Sequence, residues 1–379
     1  MSNLTSRILN LAIDIQKIPA PTFYEAERAK FVRQRFIDEG LSDVEMDDSG
    51  NVYARLPGSL LGNAIVICAH LDTVFPSSVD LHVKREEGRI SAPGIGDNSL
   101  GVAGLFGLVW GLSERKVALP GDLWLVANVC EEGLGNLRGI QAVVKHFGSN
   151  PTPLKTGSAP LAYIILEGMP IGHIYHRGLG VRRYRVTIHT QGGHSWIDYG
   201  QPSAIHELTS LSTRIAALRL PGKPRTTLNI GVISGGSSIN TIAAEAMLEL
   251  DIRSEGPGEL ETVSAQVERI IQTVNKPGVT AEVEIIGRRP FGELPVEHQL
   301  VKLAQDCVRS AGIEPRLDTG STDANFPLSL GIPSVTLGLT TGGRAHTVHE
   351  FINTAPLEKG MEQLLQLVTR AWDSLGDLK

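Results

Sequence analysis

Three runs of β-branched and apolar residues dominate the first half of this chain, and each stops at an ionisable side chain. "IVICAH", Ile65 to His70, is followed by Leu71 and Asp72; "LWLVANVCEE" delivers Glu131 and Glu132 side by side; "LAYIILEG" reaches Glu167. Short apolar runs of this kind read as strands buried on both faces. Helical patterns at 98–113 and 137–147 separate them. Such alternation predicts an α/β layer with a largely parallel sheet. Ligand sites in such sheets gather outside the carboxyl ends of the strands, which is where these ionisable residues fall.

The rest of the chain extends this plan. Two amphipathic helices are predicted near Ser2–Lys17 and Phe23–Glu39, and "VEMDDSGNVYARLPG" reads as a hairpin turning at its central Asp-Asp-Ser-Gly-Asn. From about Val181 the order becomes strand, helix, strand, strand, helix, strand, a compact ferredoxin-like α+β unit. Helix 297–311, strand 333–338 and helix 355–376 then complete the first sheet. A chain of 379 residues is long for one core. The expectation is a discontinuous catalytic domain, residues 1–180 and 289–379, with residues 181–288 inserted as a second domain.

Composition removes several function classes. A formal net charge of −6 offers no basic stripe for phosphates, so no nucleic acid partner is expected. The longest apolar runs, such as "GVAGLFGLVWGL", span about 12 residues, short of the roughly 20 needed to cross a membrane. They are expected in a core, with no membrane partner. The first segment carries Asp14 within its apolar stretch and has no small-residue cleavage site, which predicts a helix rather than a signal peptide and a cytoplasmic protein. Cys68, Cys130 and Cys307 are too few and too scattered for a disulfide framework; Cys68 and Cys130 read as small buried hydrophobes.

The strand ends carry the chemistry. His70 with Asp72 suits a metal ligand whose second ring nitrogen is held by a carboxylate, although a histidine bonded to a nearby aspartate is also an ordinary way to finish a strand. Asp97 in "GIGDNSLG" is flanked by glycines and precedes an apolar helix, so an N-cap is the plain alternative to a ligand. That segment fails the dinucleotide fingerprint, because Ser99 occupies the third glycine position, and fails the serine-hydrolase elbow, because Asp97 occupies the first. Adjacent Glu131 and Glu132 repel one another unless a cation or a shared proton compensates. "GRAHTVHEF" adds His346 and His349, but Asn353 and Thr354 follow where a His-Glu-x-x-His motif needs its second histidine. Nitrogen and carboxylate donors without thiolate suit zinc, with cobalt or manganese as alternatives.

In sequence order, "HLDTV", "GIGDNSLG", "CEEGLG", "ILEG", "GGHSW", "DIRS", "STDAN" and "AHTVHE" resemble the co-catalytic zinc exopeptidases and deacylases, a family that includes glutamate carboxypeptidase, tripeptidase T, acetylornithine deacetylase and succinyl-diaminopimelate desuccinylase. The resemblance covers nearly the whole chain. It implies a zinc-exopeptidase-like α/β/α catalytic domain with an inserted ferredoxin-like α+β lid and dimerisation domain. It also implies two divalent metal ions: His70 and Glu167 on one, Glu132 and His346 on the other, and Asp97 bridging. Asp72 would orient His70, and Glu131 would be the general base. In the insert, His194 would serve the developing oxyanion, often across a homodimer formed through residues 181–288, although it also reads as a turn histidine satisfied by backbone. Arg253 would clamp a substrate carboxylate and Asn240 would donate beside it, although Arg253 shares a strand face with Glu249 and Asp251 and also reads as part of an ion-pair ladder. The implied substrate is a small peptide or, alternatively, an N-acyl amino acid. Glu167 stands where tripeptidase T and some other relatives use Asp, which leans away from a true tripeptidase.

Overall fold

A computed structural model describes residues 2–149, 152–153 and 159–376. The chain divides into two compact units, one formed by Met1–Gly178 with Gly292–Lys379 and the other by Leu179–Phe291.

The discontinuous unit is built on a nine-stranded sheet. Its strands run in the order Ser42–Met46, Val52–Leu56, Gly121–Asn128, Leu60–His70, Ala162–Glu167, Ser334–Gly338, His173–Gly178, Gly292–Glu293, with Arg316–Gly320 also pairing His173–Gly178. Leu60–His70 pairs in parallel with both Gly121–Asn128 and Ala162–Glu167, and Ser334–Gly338 is parallel to Ala162–Glu167. The expected parallel sheet is therefore its centre. Antiparallel partners close it on both sides, Val52–Leu56 against Gly121–Asn128 and Ser334–Gly338 against His173–Gly178. The central strands are buried on both faces, which explains why their sequences read as unbroken apolar runs.

The helix Leu100–Glu114 is buried from Leu100 through Leu112. Its glycines are contact points: a Cβ on Gly107 would meet Ile8 Cδ1 at 2.5 Å, so the first helix, Asn3–Gln16, packs directly on its backbone. With the preceding turn, Ile95–Glu114 reaches 20 residues, longer than the sequence pattern suggested and sufficient in length and composition to span a bilayer. Its apolar window is 94% buried within the fold, so it is the central core helix of this unit. Cys68, Cys130 and Cys307 are buried and unpaired.

The second unit has its own core, centred on Tyr184, Leu208, Leu248 and Val267. Its four-stranded sheet runs Thr226–Gly235, Glu245–Ser254, Gly180–Thr190, Val279–Arg289, antiparallel throughout, with helices Ala204–Ala216 and Pro257–Gln272. Counting strands by sequence, the spatial order is 2-3-1-4, the ferredoxin-like arrangement.

Candidate metal centre

His70 closes the strand Leu60–His70 and is buried, with Nε2 3.2 Å from Asp97 Oδ1 and 3.6 Å from Glu167 Oε2. The other oxygen of the same aspartate, Oδ2, lies 3.0 Å from His346 Nε2, which in turn is 3.2 Å from Glu132 Oε1. Glu131 joins a third group with His70 and Glu132; in each of the three, one potential ligand atom per residue falls within 4.8 Å of the others. Residues separated by up to 276 positions thus converge, and Asp97 presents one carboxylate oxygen to each half.

Asp97 is not a helix cap. It sits in the turn Ile95–Ser99 with φ −118° and ψ 87°, and no side chain caps the helix that follows. The turn is held by a residue that sequence reasoning passed over. Glu350 is fully buried, and its carboxylate accepts from the backbone N–H groups of Gly94 (3.1 Å), Gly96 (2.6 Å) and Asp97 (2.8 Å). Asn98 ties the same turn to the strand end that bears Glu167, donating to the Leu166 carbonyl and accepting from Gly168 N–H. The approach is close: a Cβ on Gly168 would lie 2.2 Å from the Gly96 carbonyl oxygen.

The Glu131–Glu132 segment is anchored in a parallel manner. Asp72 Oδ1 accepts from Glu131 N–H and Oδ2 from Glu132 N–H, at 3.0 and 2.9 Å, while Thr22 Oγ1 donates to Oδ2. Glu25, also buried and also unforeseen, accepts from Cys130 N–H at 3.1 Å. Three successive amides are therefore held by two buried carboxylates. Arg28, buried and donating to the carbonyls of Leu71 and Ile18, supplies the nearby positive charge. Asp72 was expected to orient His70 through its carboxylate. Its backbone carbonyl is nearer, 3.0 Å from His70 Nδ1, with the carboxylate oxygen at 3.5 Å. The strand ends at His70, so strict alternation of side chains does not extend to residue 72, and the carboxylate faces the two amides as well as the imidazole. Either contact leaves His70 Nε2 toward Asp97.

Three further candidates lie on the second unit. His194 Nδ1 accepts from the N–H groups of Trp196 (3.2 Å) and Ile197 (3.4 Å), which assigns the ring proton of the neutral form to Nε2. Gly193–His194 pairs with Thr241–Ile242, and Asn240 accepts from Ser195 N–H, so His194 and Asn240 share one small substructure. Arg253 belongs to the ion-pair ladder on the sheet: its Nε donates to Asp251 Oδ2 at 2.6 Å, and Asp251 also accepts from Arg183.

Charge decides what the cluster can hold. Burial pushes Glu132 and Glu167 up to about 7, with Asp97 adding repulsion. Burial also opposes ionisation of Asp97, but hydrogen bonds with His346 and His70 outweigh it and keep that carboxyl below its usual range. His346, hydrogen-bonded to Asp97 and Glu132, is raised to about 10; His70 is disfavoured as a cation by burial yet held well above its usual value by Glu167, Asp72 and Asp97. Without a cation, protons must neutralise this concentration of carboxylates. The donor set is nitrogen and oxygen only, since Cys130 Sγ is turned 3.6 Å from Glu25 and burial pushes its thiol up to about 12. The residues therefore fit divalent cations bound by His and carboxylate.

Two expectations follow. A cation must displace the imidazole protons, so zinc loading at pH 7 should release protons, and apparent affinity should weaken as pH falls below 7, where Glu132 and Glu167 also protonate. Titration calorimetry in buffers of different ionisation enthalpy measures this; no buffer dependence would contradict it. Glu350→Ala frees the amides of Gly94, Gly96 and Asp97, and should cost about 10–100-fold in metal affinity, by analogy with other groups that orient ligands. Competition against a chelating dye reads that change.

Residues 66–370 match the profile of peptidase family M20/M25/M40. The chain is 26% identical to the YqjE protein of Bacillus subtilis, across 96% of this chain and 98% of that one. It is likewise 26% identical to a succinyl-diaminopimelate desuccinylase of Corynebacterium glutamicum, with 87% of each covered. The fold superposes on the crystal structure of the aminopeptidase PepT of Bacillus cereus with a TM-score of 0.75, at 24% identity, over 96% of this chain and 98% of that one. The His, Asp and Glu groups around Asp97 are those of a metallohydrolase, and the chain belongs to peptidase family M20/M25/M40.

Proposed function

We propose that this chain hydrolyses the amide bond of small peptides as an exopeptidase, using two divalent cations, zinc by preference. One observation carries the reading: the two oxygens of Asp97 face separate His-and-carboxylate groups, His70 with Glu167 and His346 with Glu132. A single carboxylate so placed suits a pair of ions better than one. Hydrolysis of an N-acyl amino acid is the second reading, favoured by the similarity to a desuccinylase.

When bound, such cations polarise the scissile carbonyl and make water acidic near neutral pH. The protein's own part is proton transfer and orientation. Glu131 is 5% exposed, sits among the potential ligands and lies on backbone pinned by Asp72. In this proposal it takes the proton of the attacking water and returns it to the departing amine. His194 carries its proton on Nε2, the form suited to donate to a developing oxyanion. Arg253 and Asn240 are assigned to the polar groups of the substrate, and the unit Leu179–Phe291 to a homodimer contact.

Glu131→Gln should retain both ions while reducing kcat at least about 100-fold, the lower range for loss of a general base. Elemental analysis with a panel of dipeptides, tripeptides, N-acetyl and N-succinyl amino acids, each with zinc, cobalt or manganese, tests this; a fully active variant refutes the assignment. Light scattering should give twice the chain mass. A monomer of full activity would exclude any contribution of His194 from a partner subunit.

A further inference from the structure

Within the discontinuous unit a cavity of about 920 Å³ is lined in part by the loop that carries His346. Its walls come from the segment 79–93 and from Arg344, Val348, His349 and Phe351. The strands Arg89–Ser91 and Phe351–Asn353 pair with each other, so the cavity and the metal-ligand loop share a backbone frame. Arg344 precedes His346 by two residues, and Glu350, which grips the Asp97 turn, adjoins Phe351.

The charge of the lining departs from that of the chain. Lys84, Arg89 and Arg344 face it together with Asp80 and Glu86, giving +3 against −2, on a protein whose formal net charge is −6. Lys84 Nζ is 2.7 Å from Glu86 Oε1 and neutralises it. Asp80 Oδ1 accepts from His82 N–H. Among the described residues, no carboxylate comes within ion-pair distance of Arg89 or Arg344, although Glu86, the cross-strand partner of Arg89, attracts its charge from farther away. The Arg89 guanidinium lies 3.9 Å over the Phe351 ring, a contact that restrains the side chain without using its N–H donors. Two guanidinium groups, one already immobilised, thus border a space large enough for a small molecule. Guanidinium groups recognise carboxylate and phosphate through paired N–H donors.

We propose that this cavity binds an anionic group, a carboxylate or phosphate, between Arg89 and Arg344. The anion has two possible sources. It is either a second carboxylate of the substrate, a case that rests on the amide-hydrolase reading above, or a free small anion acting on the loop of His346.

The test compares matched substrates, Ala-Asp with Ala-Asn and N-acetyl-Glu with N-acetyl-Gln, in the zinc-loaded wild type, Arg344→Ala and Arg89→Gln. If the substrate supplies the anion, the acidic member of each pair is favoured at least about tenfold in kcat/KM by wild type, and each variant brings the ratio toward one. The ratio is insensitive to any general loss of activity. If the anion is free, the ratio is near one in all three proteins, while inorganic phosphate binds wild type saturably by calorimetry and each variant at least about tenfold more weakly. A ratio near one together with phosphate binding that is absent or unchanged in the variants overturns the proposal. Neutral substrates distinguish the two failures: if wild type cleaves them, only the anion site is refuted, and if it cleaves no amide with any metal, the hydrolase reading falls as well.

Discussion

Everything at the centre of this protein follows from forcing carboxylates together in a place only partly open to water. Asp97, Glu131, Glu132 and Glu167 meet around two imidazoles, and each brings a desolvation cost along with repulsion from its neighbours. Such a cluster stays in place only if the backbone beneath it is held more firmly than the charges push apart. The structure supplies that grip with further buried acids. Glu350 and Asp72 together accept from five backbone amides directly beneath the cluster, and Glu25 from a sixth at Cys130. Hydrogen bonds to ionised acceptors are worth about 1.5–3 kcal/mol each; Asp72, held below its usual range, supplies two of them, while burial pushes Glu350 up to about 7 and Glu25 upward as well. Asn98 adds the neutral equivalent, joining the Asp97 turn to the end of the Glu167 strand.

Much of this was visible in the order of residues, and the reason is burial. Strands with both faces covered admit almost only apolar side chains, so the positions where Ile65–His70 and Leu123–Asn128 leave the sheet stand out as abrupt changes of chemistry. His70 closes the first of these strands, Glu131 and Glu132 follow the second, and Glu167 closes a third, Ala162–Glu167. The edges of the sheet were less legible. His173–Gly178, where the sequence pattern predicts no element, alternates buried and half-buried residues and pairs antiparallel with Ser334–Gly338, a partner that no local signature announces.

The supporting residues were harder to find for a different reason. Glu350 follows a histidine in a polar segment, and nothing nearby indicates that it will be fully buried and will face amides some 250 positions earlier. Glu25 is similar: its partner, the amide of Cys130, lies 105 residues away. A backbone N–H has no identity in the sequence, so a side chain whose work is to hold one leaves no spacing motif behind. Asp72 shows the middle case. Its place beside an imidazole was apparent from its position, and that contact is present at 3.5 Å, but the two amides it also holds could not be displayed by a sequence.

The division of the chain has a consequence for how such an enzyme changes over time. His70, Asp97, Glu131, Glu132, Glu167 and His346 all belong to the unit interrupted by the insert, as do the acids that support them. The insert, Leu179–Phe291, carries a separate core and none of these donors. Mutations in one core are uncoupled from the other to the extent that they share no contacts. Substitutions can therefore accumulate in the inserted segment's core without disturbing the packing that holds the ion-binding side chains in place.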